Sequence, residues 1–122
     1  MAKPGDVVGF WSDIAGKHKF HLCICPTGKY LFLNSPKARS YPGDFHVPCS
    51  EVPLDPTPEG YSIVSCGAPM AISDAELKKL KATTKGRVSN QALKDLVAFV
   101  ESLTTLSQDE KDEIVDSLAE WL

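Results

Sequence analysis

The stretch that most constrains the fold is residues 6–35, in which three short runs rich in aromatic and branched apolar residues follow one another. Glycine, proline, aspartate and asparagine bound these runs, as they commonly bound β-strands separated by short turns. The segment from Pro26 to Gly28 predicts the tight turn between the second and third runs. Three strands with such short connections predict an antiparallel meander.

Four further extended segments follow this meander, and loops rich in proline and glycine separate the first of them from it. They are residues 45–47, 61–66, 69–72 and 85–88. Strands in the first part of the chain and helices in the last part are typical of an α+β domain. We therefore predict a small, bent antiparallel sheet that closes into a β-barrel and is covered by C-terminal helices.

Three helices are predicted in the second half of the chain. A capping box at Ser73 begins a short helix that ends near Ala82, and Ser89 or Asn90 caps a longer amphipathic helix. A second capping box, at Ser107, begins the last helix, which has one acidic face and one apolar stripe. The stripe consists of Ile114, Val115, Leu118, Trp121 and Leu122. The short link between the last two helices favours antiparallel packing within one subunit.

Length and charge limit the classes of function. A chain of 122 residues is long enough for one domain with its own core. It has no signal-peptide-like apolar segment and no membrane-spanning run, so a cytoplasmic protein is expected. The net charge is −3; residues 101–122 carry one lysine against seven carboxylates, which leaves +3 for the first hundred residues. This charge permits a polyanionic ligand, although a duplex DNA-binding protein is usually far more basic.

The four cysteines are expected to be reduced thiols, because a cytosolic chain rarely keeps disulfides. Cys23 and Cys25 alternate within a predicted strand and should share one face with His21. Burial as small apolar residues is the favoured interpretation, and a metal site formed by these three residues is the alternative. We expect neither a metal nor a cofactor.

The segment Lys17-His18-Lys19 lies in the predicted loop between the first two strands, and His21 follows just inside the second strand. Imidazole exchanges a proton near neutral pH, so His18 can act as a general base or acid. Either lysine can neutralise the charge of a phosphate group. The alternative interpretation is an ordinary solvated turn.

The order of these elements resembles the MazF/PemK family of toxin endoribonucleases. The segments that carry the resemblance are Gly5 to Trp11, Lys17 to Pro26, Leu31 to Ser35, Tyr41 to Val47 and Ala82 to Val88. The last segment, which contains Lys-Gly-Arg-Val, is similar to the family's Lys-Gly-x-Val before its final helix. Two features depart from the family. Lys19 stands where the family has a catalytic arginine, and the helix at 107–122 lies beyond the family's usual end.

The resemblance implies a MazF/PemK-like barrel domain at residues 1–105. The extra acidic amphipathic helix at 106–122 is expected, from its short link to the preceding helix, to pack on the same domain. It implies a metal-independent endoribonuclease that cleaves single-stranded RNA. Such a protein would be the toxin of a type II toxin–antitoxin system, a homodimer and the partner of an acidic antitoxin protein. The implied catalytic residues are His18, Lys19 and Ser35. The candidate RNA-binding residues are Trp11, Lys17, His21, Lys37 and Arg39.

Two other functions remain open at this point. Without the family's arginine, the same barrel is a catalytically silent module that holds RNA or a protein partner. A structural accessory subunit that docks through its last helix is the third hypothesis.

Overall fold

The computed structural model of the chain describes residues 2–13, 16–36 and 41–122. It is an α+β structure, which confirms the predicted class. The strands are β1 (Asp6–Ser12), β2 (Lys17–Cys25), β3 (Lys29–Asn34), β4 (Asp44–Pro48), β5 (Tyr61–Ala71) and β6 (Thr83–Arg87). The helices are α1 (Asp74–Lys79), α2 (Asn90–Ser102) and α3 (Gln108–Ala119), with one turn of 3-10 helix at Cys49–Glu51.

The six strands form one antiparallel sheet in the order β4-β5-β3-β2-β1-β6. The predicted meander is its centre, because β1, β2 and β3 are neighbours both in sequence and in space. β4 and β6 lie at the two edges, and no ladder within the described part of the chain joins them. Closure into a barrel therefore stays a prediction.

The starts of the three helices were predicted correctly from their N-capping residues. Ser73 and Ser107 each accept a hydrogen bond in a complete capping box, and the side chain of Ser89 caps α2. The predicted end of α1 near Ala82 was too late, because α1 ends at Lys79 and Lys81 adopts a positive φ of 56°.

Two strand predictions were wrong in their boundaries. Residues 17–19 belong to β2 and not to a loop, because β1 continues to pair with them through Trp11–His18 and Ser12–Lys17. The segments 61–66 and 69–72 were predicted as separate strands, but one long strand, β5, spans most of both.

The sheet buries side chains on both of its faces. We call the face covered by α2 and α3 the helical face; its strands contribute residues such as Val7, Leu22, Leu31 and Leu33 to the larger core cluster. We call the opposite face the His21 face, where Val8, Phe10, Cys23 and Tyr30 pack with Ile72 and with Leu77 of α1.

The prediction that Cys23 and Cys25 share one face was wrong. The register between β2 and β3 shifts between these two residues. Such a bulge adds one residue to a strand and reverses the alternation of its side chains beyond that point. As a result, Cys23 lies in the cluster of the His21 face and Cys25 lies in the cluster of the helical face.

The last helix packs on α2 and on β2. Ile114 and Leu118 are buried in the core of the helical face, whereas Trp121 and Leu122, the last members of the predicted stripe, are exposed. At the start of β3, the carboxylate of Glu113 pairs with Lys29 Nζ at 3.0 Å, in an ion pair that is partly exposed. The carbonyl oxygen of Glu113 also accepts a hydrogen bond from the thiol of Cys25.

Candidate nucleic-acid interface

An exposed aromatic pair marks the end of the β1–β2 hairpin. Trp11 and His18 are opposite each other in the ladder, and their rings meet edge to face with centroids 5.7 Å apart. Half of the surface of Trp11 is exposed, which is unusual for so large an apolar ring. Because side chains alternate along a strand, Trp11 lies on the same face as Val7, which is the helical face. An exposed indole ring at this place can stack on an unpaired base.

A cavity of about 340 Å³ lies on the helical face at the end of β3, and we call it the strand-end pocket. Its apolar lining consists of Phe20, Leu33, Pro53 and Leu54. Its polar lining consists of Asn34, Ser35, Asp55, Thr57, Ser62 and Lys85. The pocket therefore combines an aromatic ring, hydroxyl groups and charges of both signs.

Gly9 explains why Phe20 and Lys85 approach each other above β1. A Cβ atom on Gly9 would lie 2.8 Å from the ring of Phe20 and 3.4 Å from Cε of Lys85. The absence of a side chain at position 9 thus leaves room for both side chains to lie across the strand. They reach it from opposite sides, since β2 and β6 are the two neighbours of β1.

His18 lies next to this pocket in the same strand as Phe20. The two residues are separated by one residue and so point to the same face, roughly 7 Å apart along the strand. The β2–β3 ladder ends at the pair Phe20–Leu33. Continuing that register by two positions would place Ser35 opposite His18, so both predicted catalytic residues lie at this end of the helical face.

Lys19 and Lys17 alternate with His18 and lie on the other side of the sheet. The Nζ atom of Lys19 is 5.8 Å from the centroid of the Phe32 ring, which in turn contacts His21. The structure thus separates the three predicted catalytic residues: His18 and Ser35 lie towards the strand-end pocket, whereas Lys19 lies on the His21 face.

His21 was predicted to bind RNA, but its side chain is only 1 % exposed. Burial, with a smaller contribution from the charge of Lys19, lowers the pKa of His21 to about 4. The ring is therefore neutral and enclosed near neutral pH, and contact with RNA would require it to leave its place in the sheet. The other two predicted RNA-binding cations, Lys37 and Arg39, lie outside the described residues.

Sequence reasoning missed Lys85 and Asp55 as members of a site. In the sequence, Lys85 stands out only as part of the Lys-Gly-Arg-Val segment. Its position beside Phe20 depends on the pairing of β6 with β1, which joins residues more than seventy positions apart in sequence. Asp55 lies in a proline-rich loop whose course no local signal predicts.

The described residues contain no group of three or more histidine, cysteine or acidic side chains placed to hold a metal ion. No described helix combines the length and the apolar character needed to cross a membrane. Comparison of the chain with protein-family models, with curated proteins and with solved structures finds no match.

Proposed function

We propose that this chain binds single-stranded RNA at the strand-end pocket and the adjoining Trp11–His18 pair, and that it cleaves the RNA without a metal ion. The observation that carries this proposal is the meeting of Lys85 and Ser35 in one pocket, next to Phe20 on the strand and face that also present His18. A cation, a hydroxyl group and an imidazole are the side chains that phosphodiester transfer requires.

The chemistry assigns one task to each group. His18 removes the proton of the ribose 2′-hydroxyl, and the 2′-oxygen attacks the phosphorus atom. The bond from phosphorus to the 5′-oxygen breaks, and that oxygen takes up a proton from the imidazolium or from water. Lys85 stabilises the extra negative charge of the crowded phosphate, and Ser35 donates a hydrogen bond to it. The products are a 2′,3′-cyclic phosphate and a 5′-hydroxyl.

Lys85 replaces Lys19 as the favoured catalytic cation in this proposal. Lys85 lines the pocket that Ser35 also lines, whereas Lys19 reaches towards Phe32 on the opposite face. An exposed Trp11 favours RNA whose bases are unpaired, because a base in a duplex is already stacked on its neighbours. The positive charge of the first hundred residues is consistent with a polyanionic ligand.

The resemblance to the MazF/PemK family suggests the biological role and the protein partner. We propose a MazF/PemK-like toxin that forms a homodimer, with a bent sheet that closes into a barrel and with an acidic antitoxin protein as partner. The order of strand, capping and Lys-Gly-Arg-Val segments along the sequence supports this part.

A catalytically silent RNA-binding module is the second candidate. The observation that favours it is the position of Lys19, which follows His18 directly and yet lies on the other face of β2. A site with only one cation near the reacting phosphate can hold RNA without cleaving it at a useful rate.

The test is incubation of purified protein with end-labelled single-stranded RNA in EDTA. We expect products that end in a 2′,3′-cyclic phosphate. His18→Ala and Lys85→Ala should each lower the rate at least about a hundredfold, which is the usual scale for a lost acid–base or charge-stabilising group. Lys94→Ala, at an exposed position of α2 outside the pocket, is the control. Binding without cleavage would select the silent module, and neither binding nor cleavage of any RNA would contradict both candidates.

A further inference from the structure

The strand-end pocket contains an ammonium group and a carboxylate that do not neutralise each other. Lys85 and Asp55 both line it. The one ion pair within 4.0 Å in the described part of the chain joins Lys29 to Glu113, so the charged groups of Lys85 and Asp55 are farther apart than that. A ligand that fits between them presents an anionic group to Lys85 and hydrogen-bond donors to Asp55.

The loop that carries Asp55 is held against the strand that carries Lys85. Pro53 packs on Gly86, where an added Cβ atom would lie 2.7 Å from the proline ring. Prolines at positions 53 and 56 also restrict the backbone on both sides of Asp55. This packing holds the backbones of the two segments together at the rim of the pocket, while the side chains of Asp55 and Lys85 are themselves exposed and accessible to a ligand.

The size and lining of the pocket suit one nucleobase. Its volume, about 340 Å³, is near the lower end of the range for small-ligand sites, roughly 300–1,000 Å³. The half-buried ring of Phe20 provides a surface on which a base can stack. Pro53 and Leu54 add apolar contacts.

We infer that this pocket binds a guanine base of single-stranded RNA, with Asp55 accepting hydrogen bonds from the base and Lys85 contacting its phosphate. The inference rests on the proposed function, since it names the nucleotide that the same site selects. An ionised carboxylate can only accept hydrogen bonds. Guanine presents two adjacent donors on its Watson–Crick edge, N1–H and the 2-amino group, which match the two oxygens of one carboxylate.

The other bases match Asp55 less well. Adenine and cytosine each place one amino group beside a ring nitrogen that is itself an acceptor. The second carboxylate oxygen would then face another acceptor and could form no hydrogen bond. Uracil has one N–H donor between two carbonyl oxygens. All of these edges are accessible only when the base is unpaired, which agrees with a single-stranded ligand.

The experiment titrates the full chain with the four 5′-mononucleotides and follows the Phe20 ring and the amides around the pocket by NMR. GMP should bind at least about tenfold more tightly than UMP, since a good bidentate contact discriminates between bases on this scale. Asp55→Asn should remove the preference for GMP, because an amide group replaces one acceptor oxygen with a donor. Asp116→Asn, the same change at an exposed position of α3, should keep the preference.

A second pair of variants tests the phosphate contact. Lys85→Gln should weaken the binding of GMP and leave the binding of guanosine unchanged, whereas Lys94→Gln should change neither. Equal binding of all four nucleotides, a GMP preference that survives Asp55→Asn, or inorganic phosphate that binds as tightly as GMP would each overturn the inference.

The outcomes separate this inference from the proposed nuclease. A pocket that prefers GMP in a protein that never cuts RNA would support the inference and reject the nuclease. A protein that cuts RNA through His18 but shows no preference among the mononucleotides would support the nuclease and reject the guanine site.

Discussion

The rings of His21 and Phe10 are stacked almost in parallel, with centroids 4.6 Å apart and planes inclined by 6°. Phe32 also contacts the imidazole, at 4.9 Å. No described residue hydrogen-bonds to Nδ1 of His21, although that atom is buried. The neutral imidazole therefore acts as one ring of an aromatic layer on the His21 face. Protonation would place a charge in that layer without a partner.

The first prediction concerns the pH dependence of stability. The pKa of His21 is about 4 in the folded chain, against 6.5 for a solvent-exposed histidine in the unfolded chain. Between these values the unfolded chain binds more protons, so stability is complete above pH 6.5 and declines as the pH falls towards 4. The decline due to His21 should reach about 3 kcal/mol at pH 4. Urea unfolding of the parent and of His21→Phe at pH 7 and pH 4 measures it.

The His21→Phe variant keeps an aromatic ring in the layer and cannot be protonated. Carboxylates that titrate in the same range affect both proteins alike, so the difference between the two proteins isolates His21. Equal losses of stability on acidification would show that His21 is not buried as described.

The second prediction concerns cysteine reactivity. Hydrogen bonding to Thr57, through its hydroxyl group and through its backbone N–H, which donates to the sulfur, lowers the pKa of Cys49, which is partly exposed. Burial instead raises the pKa of Cys23 and Cys66 to about 12. Since the thiolate is the reactive form, iodoacetamide should modify Cys49 first under native conditions. Mass spectrometry of the digested protein identifies the site.

Thr57→Val tests the cause, because it keeps the shape of the side chain and removes the hydroxyl group, which contacts Cys49 and also donates a hydrogen bond to the carbonyl oxygen of Tyr61. It should slow the alkylation of Cys49 and leave the other thiols protected. Faster labelling of Cys23 or Cys66 than of Cys49 in the parent would be incompatible with the described core.

The third prediction concerns the last helix. Leu118 is fully buried and Leu122 is 40 % exposed, so the same substitution at the two positions compares a core site with a surface site on one apolar stripe. Leu118→Ala should lower the free energy of unfolding by about 2–5 kcal/mol. Leu122→Ala should change it by less than about 1 kcal/mol. Chemical denaturation gives both values, and equal small effects would indicate that α3 is a detachable element.

The fourth prediction concerns the exposed aromatic pair. If an RNA base stacks on Trp11, then Trp11→Ala should weaken the binding of single-stranded RNA by about fivefold to a hundredfold, the usual range for one stacked base. Trp11→Phe should retain most of the affinity, since it keeps a ring at the same place. Fluorescence anisotropy of a labelled oligonucleotide at fixed salt measures these constants. Identical affinities for the three proteins would remove Trp11 from the interface.

Features that depend on neighbouring residues were predictable from the sequence. Ser73, Ser89 and Ser107 cap the three helices as expected, because a cap is formed by residues three positions apart. The meander was predicted from its three apolar runs and from the turn at Pro26 to Gly28. In both cases the decisive contacts lie within one element or between successive elements.

Features that depend on strand register were not predictable. The bulge after Cys23 sends Cys25 to the other face, and nothing in the alternation of apolar residues marks it. The division of His18 and Lys19 between two faces followed only once β2 was known to begin at Lys17. The placement of Lys85 beside Phe20 needed the long-range pairing of β6 with β1. The sequence therefore grouped three candidate residues of which two, His18 and Ser35, lie at one end of the helical face, whereas the third, Lys19, lies on the opposite face.

The most direct measurement of the central claim is an NMR titration with a short single-stranded RNA whose 2′-hydroxyl groups are replaced by hydrogen, so that it binds without being cleaved. The ring signals of His18 and Phe20 report on the helical face, and the ring signals of Phe10 and Phe32 report on the His21 face. If RNA binds at the strand-end pocket, the signals of His18, Phe20 and Trp11 should shift, and those of Phe10 and Phe32 should change little. Shifts confined to Phe10 and Phe32, or no shift at any of these rings, would contradict binding at this pocket.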